Sequence, residues 1–151
     1  MQDYVVNRPD EGAMEQALRE NPGNAAGAVL RLAWQAGLLR DEIQHLTWEQ
    51  VDFLDGCLVL PDRKVPIGRE LSDWLQALRD GRDRSQEAVV LSDRDRKPLT
   101  PQSISRLART ALDKQGQTSV RLIDLRHDFI LRQLQEHDWQ YVSRITGVEA
   151  A

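Results

Sequence analysis

Apolar positions recur at helical spacing over most of this chain and at strand spacing only briefly. Ala25, Ala28, Val29, Leu32, Ala33 and Ala36 form one continuous stripe, with Asn24 as its N-cap and Gly37 as its stop. Before it, Glu11–Glu20 reads as a helix closed by Asn21-Pro22-Gly23, and the first ten residues read as a short arm. After it, Asp41 is placed as the cap of a short helix carrying Ile43 and Leu46. Thr47-Trp48-Glu49-Gln50 has the spacing of a capping box and predicts one more turn.

The period then shortens. Asp55-Gly56 is a turn signal, and Cys57–Leu60 and Val65–Ile67 predict a small hairpin around Pro61-Asp62-Arg63-Lys64, with Pro66 placing its strand at an edge. Arg69–Arg79 returns to helical spacing, with Leu71, Trp74, Leu75 and Leu78 on one face. Ala88–Leu91 reads as a further short strand. Thr100 caps a helix with Pro101 at its first position and Ile104, Leu107, Ala108, Ala111 and Leu112 on its apolar face. A helix from about Leu122 to Glu136 follows, and Asp138 opens a last one carrying Trp139, Val142 and Ile145 and ending at Gly147. Trp34, Trp48, Trp74 and Trp139 fall on apolar stripes and read as core. The predicted class is mainly α with a small antiparallel β-hairpin or sheet (α+β). It forms a single domain, with residues 1–23 as arm and first helix and residues 24–151 as the main scaffold.

A chain of 151 residues is long enough to bury a real core. No apolar run approaches the roughly 18 residues of a membrane span, so no membrane partner is expected. Met1-Gln2-Asp3-Tyr4 has neither the basic start nor the apolar core of a signal peptide. Cys57 is the one cysteine, which excludes an internal disulfide and, with no Cys/His cluster at zinc spacing, predicts no metal site and a reducing, cytoplasmic setting. No Gly-rich phosphate loop or nucleophile elbow is present, so no cofactor is expected. Net charge is −4 and unevenly spread: residues 1–90 carry 10 basic and 16 acidic groups, and residues 91–151 carry 10 and 8. An acidic chain lacks the long-range field that drives tight nonspecific DNA binding, although one basic face can still hold DNA.

Candidate chemistry lies in Ile123-Asp124-Leu125-Arg126-His127 and in four further segments in fixed order. Gly37-Leu38-Leu39-Arg40-Asp41-Glu42-Ile43, its continuation His45–Asp52, the hairpin ending Val65-Pro66-Ile67, Pro98-Leu99-Thr100 with its helix, and Leu125-Arg126-His127-Asp128-Phe129 together resemble the catalytic domain of the tyrosine recombinases, the phage integrase family, from about Asn24 to Val148. The resemblance implies a tyrosine recombinase catalytic-domain-like fold. In that family a Tyr attacks a DNA phosphodiester to form a phosphotyrosine, two Arg and a Lys stabilise the charge on the phosphate, and two groups, usually His and His or Trp, bond it or move protons.

Measured against that pattern, the chain departs at most catalytic positions. The first Arg aligns with Leu39. Arg40 is its neighbour, but one helical step turns a side chain by about 100°, and a register that rescued Arg40 would misplace Glu42. Lys64 is nearest to the hairpin Lys, in a hairpin shorter than the family's. The first His of the box aligns with Ile123, Arg126 is retained, and the late His or Trp aligns with Val148. The resemblance places the nucleophilic Tyr several residues after Gly147, past Ala151, and Tyr141 lies on the wrong turn to replace it. Losing one preorganised donor typically costs about 10²–10³ in rate. The expectation is therefore no enzyme and no catalytic residue, with Arg126 vestigial.

Arg126 either holds a phosphate or pairs with Asp124, Asp128 or Glu42. Ile123 reads as core and His127 as an interior, hydrogen-bonded His, while His45 and His137 read as surface groups. Arg94, Arg96, Lys97, Arg106, Arg109, Lys114 and Arg121 form the basic concentration of the chain. They either line a DNA backbone, together with Arg40, Lys64 and Arg126, or make a solvated face interrupted by Asp93, Asp95 and Asp113. Two functions follow: an inactive integrase-like domain that binds DNA weakly and salt-sensitively in an accessory or regulatory role on a mobile element, or a module for a protein partner or for self-association. A helix-turn-helix reader with the Thr100 helix as recognition helix is disfavoured by the intervening hairpin.

Overall fold

The computed structural model describes residues 7–149, so most of the N-terminal arm lies outside the described residues. Among the described residues are seven α-helices, α1 (Glu11–Glu20), α2 (Ala25–Gln35), α3 (Arg40–His45), α4 (Arg69–Asp80), α5 (Pro101–Lys114), α6 (Leu122–Glu136) and α7 (Trp139–Thr146), with α1, α3, α5 and α6 packed on α2. Every residue of α2 from Ala25 to Trp34 is buried, which an outer helix with one apolar stripe would not show. Small residues make this central position possible: a Cβ on Gly27 would sit 2.1 Å from the carbonyl oxygen of Asn21. The core joins Met14 of α1, Leu30 and Leu32 of α2, Leu75 of α4, Ile104 and Leu112 of α5 and Leu125 of α6, all fully buried.

Local signals set the helix ends. The side chains of Asp10, Asn24, Thr100 and Asp138 each accept a backbone N–H of their helix's first turn, and Pro101 occupies the first position of α5. The short α3 begins at Arg40 rather than after Asp41. Its N-cap is Leu39, whose N–H donates to Oε1 of Glu42 at 2.8 Å, so a carboxylate three residues on does the capping that Asp41 was expected to do.

The hairpin is part of a three-stranded antiparallel meander, β1 (Val51–Asp52), β2 (Cys57–Val59) and β3 (Lys64–Pro66), with Pro66 on the edge strand as its missing N–H requires. Ala88–Leu91 is not a strand. Ala88 and Leu91 make isolated bridges to Thr47 and Pro98, and Val89 and Val90 are buried between them. Trp34 and Trp48 are buried as expected. Trp74 is half-buried, with its indole N–H donating to the carbonyl of Pro22, and Trp139 is exposed in the first turn of α7, where the apolar stripe runs out into solvent. No helix among the described residues is long and apolar enough to cross a membrane.

One carboxylate ties three segments together. Asp128 on α6, buried, accepts from Arg8 Nε at 2.7 Å, Trp34 Nε1 at 2.8 Å and Arg132 Nε at 3.1 Å. Asp128→Ala would strand the buried Trp34 N–H and release two partly exposed arginines, and is expected to lower the unfolding free energy by about 2 kcal/mol. Urea denaturation measures it, with Asp128→Asn retaining part of the loss because an amide oxygen still accepts from Trp34.

Candidate nucleic-acid cleft and the buried arginine pair

The Arg126 box forms the first turns of α6. Asp124 accepts the Arg121 N–H at 2.8 Å and so fixes where the helix begins. Ile123, in that first turn, is 44% exposed and is not a core residue: it faces a cleft, while its neighbour Leu122 packs against the core. Arg126, one turn on, faces inward and is only 6% exposed. Its Nη1 donates to the carbonyl of Gly37 at 2.6 Å and its Nη2 to that of Thr146 at 2.7 Å. The expected carboxylate partners are engaged elsewhere: Asp124 caps α6, Asp128 holds the Trp34 cluster, and Glu42 is taken by a different arginine.

That arginine is Arg63, in the turn between β2 and β3, which the sequence presented only as hairpin turn chemistry. Its guanidinium forks onto Glu42, with Nη1 at 2.5 Å from Oε2 and Nη2 at 2.9 Å from Oε1, while Nη1 also reaches Asp62 at 3.0 Å and Nε donates to the carbonyl of Ile145 at 3.0 Å. Pairing with Glu42 and Asp62 holds the Arg63 pKa above its ordinary value despite burial. Arg126 goes the other way: burial, then the neighbouring Arg63 charge, push it down, with Glu42 and Asp62 opposing. Backbone geometry makes room for both. Gly37 and Gly147 sit at φ of 67° and 77°, a region that disfavours side chains. A Cβ on Gly147 would lie 3.0 Å from Asp62 and 3.5 Å from Arg63.

The cleft itself, of about 600 Å³, runs between the N-terminal ends of α3 and α6 and the outer face of α5. Leu39 and Ile123 are its exposed apolar wall, and Arg40, Arg106, Arg109 and Arg121 line it, with no carboxylate among its lining residues. Arg40 donates to Ser105 Oγ at 3.2 Å. Of the other sequence candidates, Arg94, Arg96 and Lys97 lie in the exposed loop before α5, and Lys64 is exposed on β3, all outside the cleft lining, as is Val148. Arg40, Lys64 and Arg126 therefore do not converge. His127 is exposed rather than interior, because it falls on the side of α6 opposite Leu125 and Phe129, and its Nδ1 lies 4.0 Å from Asp124. His45 and His137 are exposed as expected. A second depression, of about 680 Å³ beside Trp48 and Arg82, mixes three arginines with four carboxylates and has no single sign of charge.

The burial of Arg126 and Asp128, and of Arg31, which sequence reasoning did not single out, had a readable signal. Asp128 and Arg126 flank Leu125 and Phe129 on a helix whose inward face is apolar, and a charge on such a face has to find a partner. Arg31 stands the same way in α2, and donates to the carbonyls of Leu18 at 3.1 Å and Asn21 at 2.9 Å.

Comparison with known proteins gives this arrangement its family. The profile of the phage integrase family matches residues 13–148. The tyrosine recombinase XerC of Proteus mirabilis is 30% identical over 129 residues, 79% of this chain and 42% of that protein. The chain belongs to the phage integrase family, and it spans less than half the length of that relative. Among solved structures, XerA recombinase superposes with a TM-score of 0.81 at 23% identity, covering 99% of this chain and 57% of the other. The Tn1549 transposon integrase in complex with circular intermediate DNA gives 0.79 at 15%, covering 99% and 60%. A lambda integrase dimer bound to a core site gives 0.70 at 16%, covering 99% and 60%. At these identities the structural likeness establishes the fold.

If the Arg126 guanidinium serves the two carbonyls rather than a ligand, its loss is a folding defect. Arg126→Met is expected to cost about 2–4 kcal/mol, the penalty for two stranded carbonyls, while leaving the DNA affinity of the folded fraction within about twofold, well under the 1.4 kcal/mol of a tenfold change. Thermal unfolding and fluorescence anisotropy on the same sample separate the two effects.

Proposed function

We propose that this chain is an integrase-like domain that binds DNA through the cleft between α3, α5 and α6 without cutting it, as an accessory or regulatory part of DNA integration or recombination on a mobile element. One observation carries the reading. In the family's pattern the positions of Leu39 and Ile123 hold an Arg and a His at the phosphate, and here both are apolar side chains on the cleft wall, while the retained Arg126 is engaged by carbonyls. Val148 in place of the late His or Trp supports the same conclusion. What remains suits noncovalent contact: four arginines in a cleft with no carboxylate among its lining residues can hold a backbone of phosphates. The buried lone Cys57 fits a reducing compartment such as the cytoplasm.

The acidic net charge opposes long-range attraction and makes this binding weak, and contacts from arginines to phosphates make it salt-dependent. A titration of duplex DNA at low and moderate salt is expected to show a negative slope of log K against log salt, with Arg106→Ala and Arg109→Ala each lowering that slope by about 1. No binding at either salt, or binding without a slope, overturns the reading. Incubated with supercoiled DNA, the chain is expected to leave no nick and no covalent adduct, and either product would restore an active site. The alternative, a protein-interaction module without DNA contact, draws support from the apolar wall of the same cleft.

A further inference from the structure

The β1–β2 turn presents an unusual tip. Leu54 is 96% exposed, more than any other large apolar residue among those described, and it stands between Asp52 and Asp55. Asp52 accepts the Asp55 N–H at 2.9 Å, so the turn is a preformed loop that offers an aliphatic side chain framed by carboxylates. The cleft is its complement in both respects: Leu39 and Ile123 offer exposed apolar surface, and arginines rim it with no carboxylate among them. The charge division along the chain matches, since residues 1–90, which carry the turn, hold 16 acidic and 10 basic groups, whereas residues 91–151, which supply most of the cleft, hold 8 and 10.

We propose that the cleft of one molecule receives the Asp52–Asp55 turn of a second copy of this chain, with Leu54 against Leu39 and Ile123 and the turn's carboxylates against Arg106 and Arg109. This goes beyond DNA binding and uses the same cleft, so DNA and a second copy compete for it. Two different surfaces meet, which makes the contact head-to-tail and able to propagate rather than close as a twofold dimer. A four-residue tip covers far less than the roughly 1,200–2,000 Å² of a stable interface, so association is weak and appears only at high concentration. Its ionic part weakens as salt screens the exposed charges.

Sedimentation equilibrium without DNA tests the contact independently of the DNA reading. The wild-type chain is expected to show an average mass that rises with concentration at low salt and falls back toward the monomer at high salt. Leu54→Ser removes the knob, and Ile123→Asp places a carboxylate in the cleft at a first helical turn that favours one. Both sites are exposed, and circular dichroism confirms the fold. Each variant alone is expected to remain monomeric, and a mixture of the two to recover association that stops at two subunits, since only one intact knob can meet one intact cleft. A monomeric wild type at every concentration, a variant that associates as the wild type does, or a mixture that stays monomeric each overturns the proposal.

Discussion

Guanidinium groups that end on carbonyls at or just past helix C-termini, three of them buried and that of Arg132 partly exposed, hold the parts of this fold in place. The last turn of an α-helix leaves carbonyls without intrahelical partners, and these carry the negative end of the helix dipole. Arg31 takes the carbonyls at the end of α1, Arg132 that of Trp34 near the end of α2, and Arg126 those of Gly37 after α2 and Thr146 at the end of α7, where Arg63 adds Ile145. An arginine cannot shed its charge when buried, so each must be satisfied in place or the segment that carries it cannot pack. Arg63 and Arg126 form the critical pair. Through them the hairpin, α3, α6 and α7 share one polar centre in which two guanidinium charges face the carboxylates of Glu42 and Asp62.

That balance bears on function. A pocket that stabilises a phosphate in a transition state needs donors left free and a surplus of positive charge at the site. At the Arg126 centre two of the five guanidinium N–H donors go to carbonyls and two arginines face two carboxylates, whereas at the cleft, one helical turn away, four arginines stand without a carboxylate among the lining residues. The proposed loss of cleavage and retention of binding thus rest on the same feature: positive charge faces carboxylates inside, and meets none among the lining residues of the cleft, where a polyanion or an acidic segment would enter.

How much of this was legible in the sequence depends on which force acts at each position. Thr100-Pro101 and Asn24 mark helix starts because side chain and backbone settle the matter locally, and the structure places both as expected. The ordered boxes were enough to suggest the family because their spacing follows the scaffold. Partner choice was not legible: Arg126 has acidic neighbours in sequence yet bonds carbonyls brought to it from α2 and α7, and Glu42 meets an arginine 21 residues away that read only as a turn. Ile123 and His127 were misplaced for a related reason. Residue type suggests burial, but the face of the helix decides it, and Ile123 and His127 fall on the outer side of α6.

A scaffold can lose such donors without losing its fold, and the cleft shows why. Leu39 and Ile123 occupy its wall, not the core, so no core packing depends on which side chain stands there. Glu42, which caps α3 through the Leu39 N–H, is neutralised by Arg63. A further cation among Arg40, Arg106, Arg109 and Arg121 would add like-charge repulsion, so apolar replacements at these two positions relieve a cost that catalysis alone would justify. Stability at this face therefore places no demand on these two wall positions, while it does oppose loss of Arg126, whose two carbonyl partners tie α6 to the ends of α2 and α7.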